Sequence, residues 1–194
     1  QVAGWFREVD ALVYHSYLTG PDGVGVTLLG TLSGERTMAY GVNNLGQVVG
    51  EAETASGVQR AFLTGPNGVG ITQLVTGPGD TATARVITDD AVVAGSSSTY
   101  ASYRELRSRV FVTDPQGEGR TVLNSQGLRF QFPAGMNARG TLVGTASAPY
   151  YDHALLATIR DRDGRTEYLQ HRVVNLPDGV TLRQPGGIND QGQI

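Results

Sequence analysis

The chain of 194 residues contains no cysteine. That excludes a disulfide framework and any thiolate metal site. Charged residues are scarce, at 17%, and 15 Lys and Arg against 18 Asp and Glu leave a net charge of −3. No block of Lys and Arg stands anywhere in the sequence. Nucleic-acid binding by counterion release needs such a block, so that class of partner is disfavoured. No apolar run approaches the roughly 20 residues of a membrane-spanning helix, and no signal-peptide core is present. Nor does any stretch hold apolar residues at i, i+3, i+4 and i+7 over three turns. Arg104–Arg109 comes nearest to a helical pattern and is short. Hydrophobic residues still make up 39% of the chain, which is ample for a packed core.

What is abundant is glycine, with 27 residues, and its placement is periodic. Gln1-Val2-Ala3-Gly4, Gln47-Val48-Val49-Gly50, Val92-Val93-Ala94-Gly95 and Thr141-Leu142-Val143-Gly144 end alike, and their glycines are 46, 45 and 49 residues apart. A second phrase recurs in step: His15-Ser16-Tyr17-Leu18-Thr19, Arg60-Ala61-Phe62-Leu63-Thr64, Arg109-Val110-Phe111-Val112-Thr113 and His153-Ala154-Leu155-Leu156-Ala157. Three copies of this phrase are followed by a turn, Gly20-Pro21-Asp22-Gly23, Gly65-Pro66-Asn67-Gly68 and Asp114-Pro115-Gln116-Gly117, and Asp163-Gly164 stands in the fourth. A last phrase precedes each Val-Val-Gly: Asn43-Asn44-Leu45-Gly46, Thr88-Asp89-Asp90-Ala91, Asn137-Ala138-Arg139-Gly140 and Asn189-Asp190-Gln191-Gly192. Four phrases in fixed order define one repeat domain over residues 1–194, with units of approximately 1–46, 47–91, 92–140 and 141–192.

Each unit reads as four short strands. Proline presets φ at the second turn position, Asn or Asp tolerates the third, and glycine closes the turn. The runs between turns are β-branched and aromatic, and of strand length. Hairpins are expected over Phe62–Thr64 with Gly70–Leu74 and over Thr37–Val42 with Gln47–Ala52. The predicted class is all-β, a β-propeller or propeller-like array of four-stranded antiparallel blades. A β-sandwich is the competing architecture, but it does not call for the same turn in every unit. The fourth unit is stretched, and a longer loop or extended hairpin is expected around Tyr168–Pro185.

These phrases resemble the bacterial extracellular repeats named after a His-Ala-Phe core. Gly41 to Gly50 with Arg60-Ala61-Phe62, and Gly187 to Ile194, carry the likeness. Unit three departs from it with Asp90-Ala91 in place of the turn glycine, and only His15 and His153 keep the histidine. The resemblance implies propeller blades of an exported or cell-surface protein and names no reaction. The chain begins and ends inside the same phrase, so a fragment of a longer chain is expected, or an end strand that completes a neighbour. A head-to-tail contact of that kind builds a filament.

No constellation in the sequence suggests catalysis. His15 and His153 share a repeat position with Arg60 and Arg109, which marks a structural slot and not a metal ligand. Asp22, Asp89, Asp90, Asp163, Asp178 and Asp190 read as turn residues. Asp161-Arg162-Asp163-Gly164 lacks the length and terminal Glu of a calcium loop. Ser96-Ser97-Ser98 reads as a loop, and no nucleophile elbow exists. A propeller enzyme would break the repeat with charged residues in an inner strand, and the Val-Val-Gly strands show no such break. The expectation is therefore a protein without enzymatic activity, metal or cofactor, serving as a scaffold or interaction platform. The connectors after each Val-Val-Gly vary most: Trp5–Tyr14, Glu51–Gln59, Ser96–Ser108 and Thr145–Asp152. They hold Trp5, Phe6, Tyr14, Tyr100, Tyr103, Tyr150 and Tyr151, half of the fourteen aromatic residues. If they share one edge, a protein partner or copies of the chain itself would dock there, with a polysaccharide as the alternative.

Overall fold

The computed structural model describes residues 1–74, 81–102, 105–123, 129–147, 152–162, 165–173 and 185–194. Everything regular in them is β-structure, apart from single 3-10 turns at Pro21–Gly23, Pro66–Gly68 and Pro115–Gly117. The first sheet holds β1 (Ala3–Arg7), β2 (Tyr14–Thr19) and β3 (Val26–Leu28). The second holds β4 (Ser33–Val42), β5 (Val48–Thr54), β6 (Gln59–Leu63) and β7 (Thr72–Gln73). The third holds β8 (Thr81–Ile87), β9 (Val93–Ser102), β10 (Glu105–Val112) and β11 (Thr121–Leu123). The fourth holds β12 (Arg129–Met136), β13 (Thr141–Ser147), β14 (Asp152–Arg162) and β15 (Arg165–Val173). Each sheet is an antiparallel meander of strands in chain order. The all-β class and the repeated small sheets thus agree with the sequence. The sheets run one strand out of phase with the sequence units, because each four-stranded sheet begins with the strand before Val-Val-Gly.

One sequence expectation is corrected. Ser96-Ser97-Ser98 is no loop but part of β9, opposite Val110, Arg109 and Ser108. Ser97 is buried, and Ser98 and Ser108 join hydroxyl to hydroxyl at 2.9 Å across the strands. Glu105–Arg109, the described part of the short stretch that comes nearest to a helical pattern, lies in β10, in agreement with the expected lack of a helix. Cross-strand pairing overrides the local pattern there. The stretch of the fourth unit is an extended hairpin, β14 with β15, while residues 174–184 and with them Asp178 lie outside the described residues, as do Asp163 and Gly164.

Consecutive sheets pack face to face. Leu18 and Leu29 of the first meet Ala39, Val48, Ala52 and Phe62 of the second. Val49, Ala61 and Leu63 leave the opposite face of the second to meet Ala82, Ala84, Val93 and Phe111. Val110, Val112 and Ala94 then meet Leu142, Ala146 and Ala157 of the fourth. A sheet covered on both faces needs apolar residues at successive positions, which is why Val48-Val49 and Val110-Phe111-Val112 are unbroken runs.

The repeated glycine has a steric cause. A Cβ on Gly50 would lie 2.0 Å from the Met38 carbonyl oxygen and 2.8 Å from Phe62, and one on Gly95 would lie 2.3 Å from the Thr83 carbonyl and 2.5 Å from Phe111. The aromatic of the third strand lies across the glycine of the second, so the two phrases that recur together are one packing unit. The threonine that ends the aromatic phrase also has a task. Thr19, Thr64 and Thr113 each accept from the backbone N–H of Val2, Val48 and Val93 at 2.8, 2.8 and 2.9 Å.

The Asn turns are held from within. Asn43 Oδ1 accepts from the N–H groups of Leu45 and Gln47, and Asn137 and Asn189 repeat the pattern with their own turns. The same side chains reach the next turn. Asn43 Nδ2 donates to the Thr88 carbonyl and Asn137 Nδ2 to the Asn189 carbonyl, each at 3.0 Å. The turns of neighbouring sheets therefore lie at the same end of the array. The β1–β2, β5–β6, β9–β10 and β13–β14 hairpins lie at the other.

Candidate functional site

Of the seven aromatic residues singled out from the sequence, the structure brings Trp5, Phe6 and Tyr14 to the first sheet. They do not form one platform. Successive residues of a strand point to opposite faces. Trp5 and Tyr14 share the face toward the second sheet, edge to face at 5.5 Å, with the Arg36 guanidinium 5.9 Å from the Tyr14 ring. Phe6 points the other way and lies 5.4 Å from His15 and 6.5 Å from Tyr17. His15 Nε2 is 2.9 Å from Glu8 Oε1, an exposed pair. Tyr100 sits in β9 opposite Leu106. Tyr103, Tyr150 and Tyr151 lie outside the described residues.

The outer face of the first sheet has a counterpart in every later sheet. Val2, Phe6, His15 and Tyr17 stand where Val48, Ala52, Arg60 and Phe62 stand in the second sheet and Val93, Ser97, Arg109 and Phe111 in the third. Val48 and Phe62, and Val93 and Phe111, are wholly buried against the preceding sheet. Val2 is 55% exposed and Phe6 43%. Gly4 lies beneath the Tyr17 ring as Gly50 does beneath Phe62.

A second site was missed by sequence reasoning and lies along the first strands. β4 packs against β8, and β8 against β12. In each of these strands the pairing slips by one residue at the same place: between Ala39 and Gly41, between Ala84 and Val86, and between Pro133 and Gly135. The extra residues are Tyr40, Arg85 and Ala134. A bulge bends its strand and re-aims the extra side chain. All three line one open cavity of about 520 Å³, together with Phe132, Pro133, Thr145, Pro185 and Gly186. Gly186, three residues before Asn189, holds the same repeat position again.

Tyr40 and Arg85 give the cavity its chemistry. The Arg85 guanidinium carbon is 4.9 Å from the Tyr40 ring centroid and 5.7 Å from that of Phe132. Tyr40 donates to Glu51 Oε1 at 3.3 Å, and Thr83 donates to Glu51 Oε2. Glu51, 9% exposed, is thereby a satisfied acceptor between two sheets. Burial and then the Glu51 charge push the Tyr40 phenol up to about 12, against the opposing pull of Arg85. Tyr40 is thus neutral, a donor, at any physiological pH. Local motifs do not reveal this group, since Glu51 and Thr83 are 32 residues apart. One signal was present: Tyr40, Arg85 and Ala134 are chemically unlike residues at one repeat position.

No cluster of three or more His, Asp or Glu that could hold a metal ion occurs among the described residues. No helix among them is long and apolar enough to cross a membrane. Protein-family models, curated proteins and solved structures yield no match to the chain.

Proposed function

We propose that this chain is a non-enzymatic scaffold and interaction module, a propeller or propeller-like array of an exported bacterial surface protein. One observation carries the reading. The outer face of the first sheet presents Val2, Phe6, His15 and Tyr17 at the positions through which the second and third sheets bury themselves against a neighbouring sheet. Its preferred occupant is a further sheet of the same repeat, carried by a second copy of the chain. The likeness of the motifs to His-Ala-Phe repeats supports the exported, bacterial setting. Glu51, the buried carboxylate near the cavity, is bound by Tyr40 and Thr83 and serves as an internal acceptor.

Light scattering over a concentration series tests this. The native particle is expected to exceed the 20.5 kDa of one chain and to grow with concentration. Phe6→Asp, which buries a charge in the contact, is expected to return it to one chain mass, while Val24→Asp, at an exposed turn, leaves it unchanged. A particle of one chain mass at every concentration overturns the reading.

A further inference from the structure

We propose that the cavity around Arg85 binds an acidic saccharide, with Arg85 taking the sugar carboxylate and Phe132 stacking against the ring. Arg85 is exposed and forms no ion pair among the described residues, although Glu51 lies close by. Glu51 is committed to Tyr40 and Thr83. The guanidinium lies near two aromatic rings, Tyr40 and Phe132, which limit its freedom. An arginine ordered in this way loses less entropy when its planar fork meets a carboxylate. Among the described lining residues Arg85 is the one cation, and no helix terminus joins it, which suits a single negative charge better than a phosphate. Phe132 is 50% exposed, an uncovered aromatic face beside that cation. Aromatic faces pair with the apolar sides of ring-shaped ligands while neighbouring donors fix orientation. Pro133 and Pro185 add apolar wall, and Thr145 and the Tyr40 phenol add polar groups. About 520 Å³ holds one or two sugar rings. An extended acidic peptide fits less well. It would need a regular strand edge to pair with, and the bulges at Tyr40, Arg85 and Ala134 interrupt that edge.

Titration calorimetry with the whole chain tests this, using a galacturonic acid trisaccharide, its neutral galactose counterpart and a tri-glutamate peptide as probes. Saturable binding of the acidic sugar alone is expected, and weaker binding as salt is raised. Arg85→Gln should weaken it by about tenfold or more, the loss of a charge-assisted pair. Phe132→Ala should weaken it as well. Circular dichroism of both variants checks that they fold. Both side chains are exposed, so unfolding is not expected. Equal binding of the neutral sugar or of the peptide overturns the proposal. So does an acidic sugar that fails to bind the wild-type chain, or one that binds folded Arg85→Gln unchanged. None of these outcomes depends on the self-association of the first sheet, because Phe6→Asp leaves the cavity intact and can be titrated in the same way.

Discussion

At the scale of single residues, the repeat is written in backbone conformations that side chains either tolerate or resist. The third position of the proline turns is left-handed, with φ of 61° at Asp22, 53° at Asn67 and 70° at Gln116. Asp and Asn visit this region at low cost, whereas other side chains pay roughly 1–2 kcal/mol. Gln116 is exposed. Gln116→Asn is therefore expected to raise stability by about 0.5 kcal/mol in a urea titration. A fall in stability would show that the strain is not real. Tyr40 offers a second test. Its folded pKa is raised, so between its ordinary value near 10 and about 12 the unfolded chain has lost a proton that the folded chain retains. The contribution of Tyr40 to stability is complete below pH 10 and is lost as pH rises through that window. Ultraviolet titration should show a tyrosine ionising near pH 12 that Tyr40→Phe removes, and Glu51→Gln should bring it earlier. Unchanged late ionisation in Glu51→Gln would contradict a role for the Glu51 charge.

At the scale of strands and turns, the recurring phrases are contacts between elements. Val-Val-Gly supplies two opposite-facing core residues and a glycine clamped between the first strand's carbonyl and the third strand's aromatic. Gly50→Ala is expected to cost about 3 kcal/mol or more, because the Met38 carbonyl cannot move without breaking the ladder. Gly4→Ala meets only the far end of the Tyr17 side chain, on an uncovered face, and should cost much less. Equal costs in thermal unfolding would dismiss the clamp. This level was legible in the sequence because the glycine, the aromatic and the Asn turn recur at one period. The serine run of β9 was not. Ser has weak strand preference, and only pairing with β8 on one side and β10 on the other makes those residues a strand. The Tyr40–Glu51–Thr83 group was equally hidden. It depends on a bulge and on the meeting of two sheets, and neither has a local spacing.

At the scale of the whole molecule, one packing rule repeats. Each sheet covers the next through the same positions, and the outer face of the first sheet presents those positions to solvent. Trp5 and Phe6, which read in the sequence as one aromatic patch, are divided between two faces. Trp5 packs near Tyr14, and Phe6 faces outward. Phe6, with Val2, His15 and Tyr17, is the face that the proposed assembly uses. The measurement that tests this most directly is hydroxyl-radical footprinting of the wild-type chain, dilute and concentrated. Phe6 and Tyr17 should become protected at high concentration, while Val24 and Val69 in the exposed turns keep their reactivity. Phe6 and Tyr17 reacting equally at both concentrations would contradict the account.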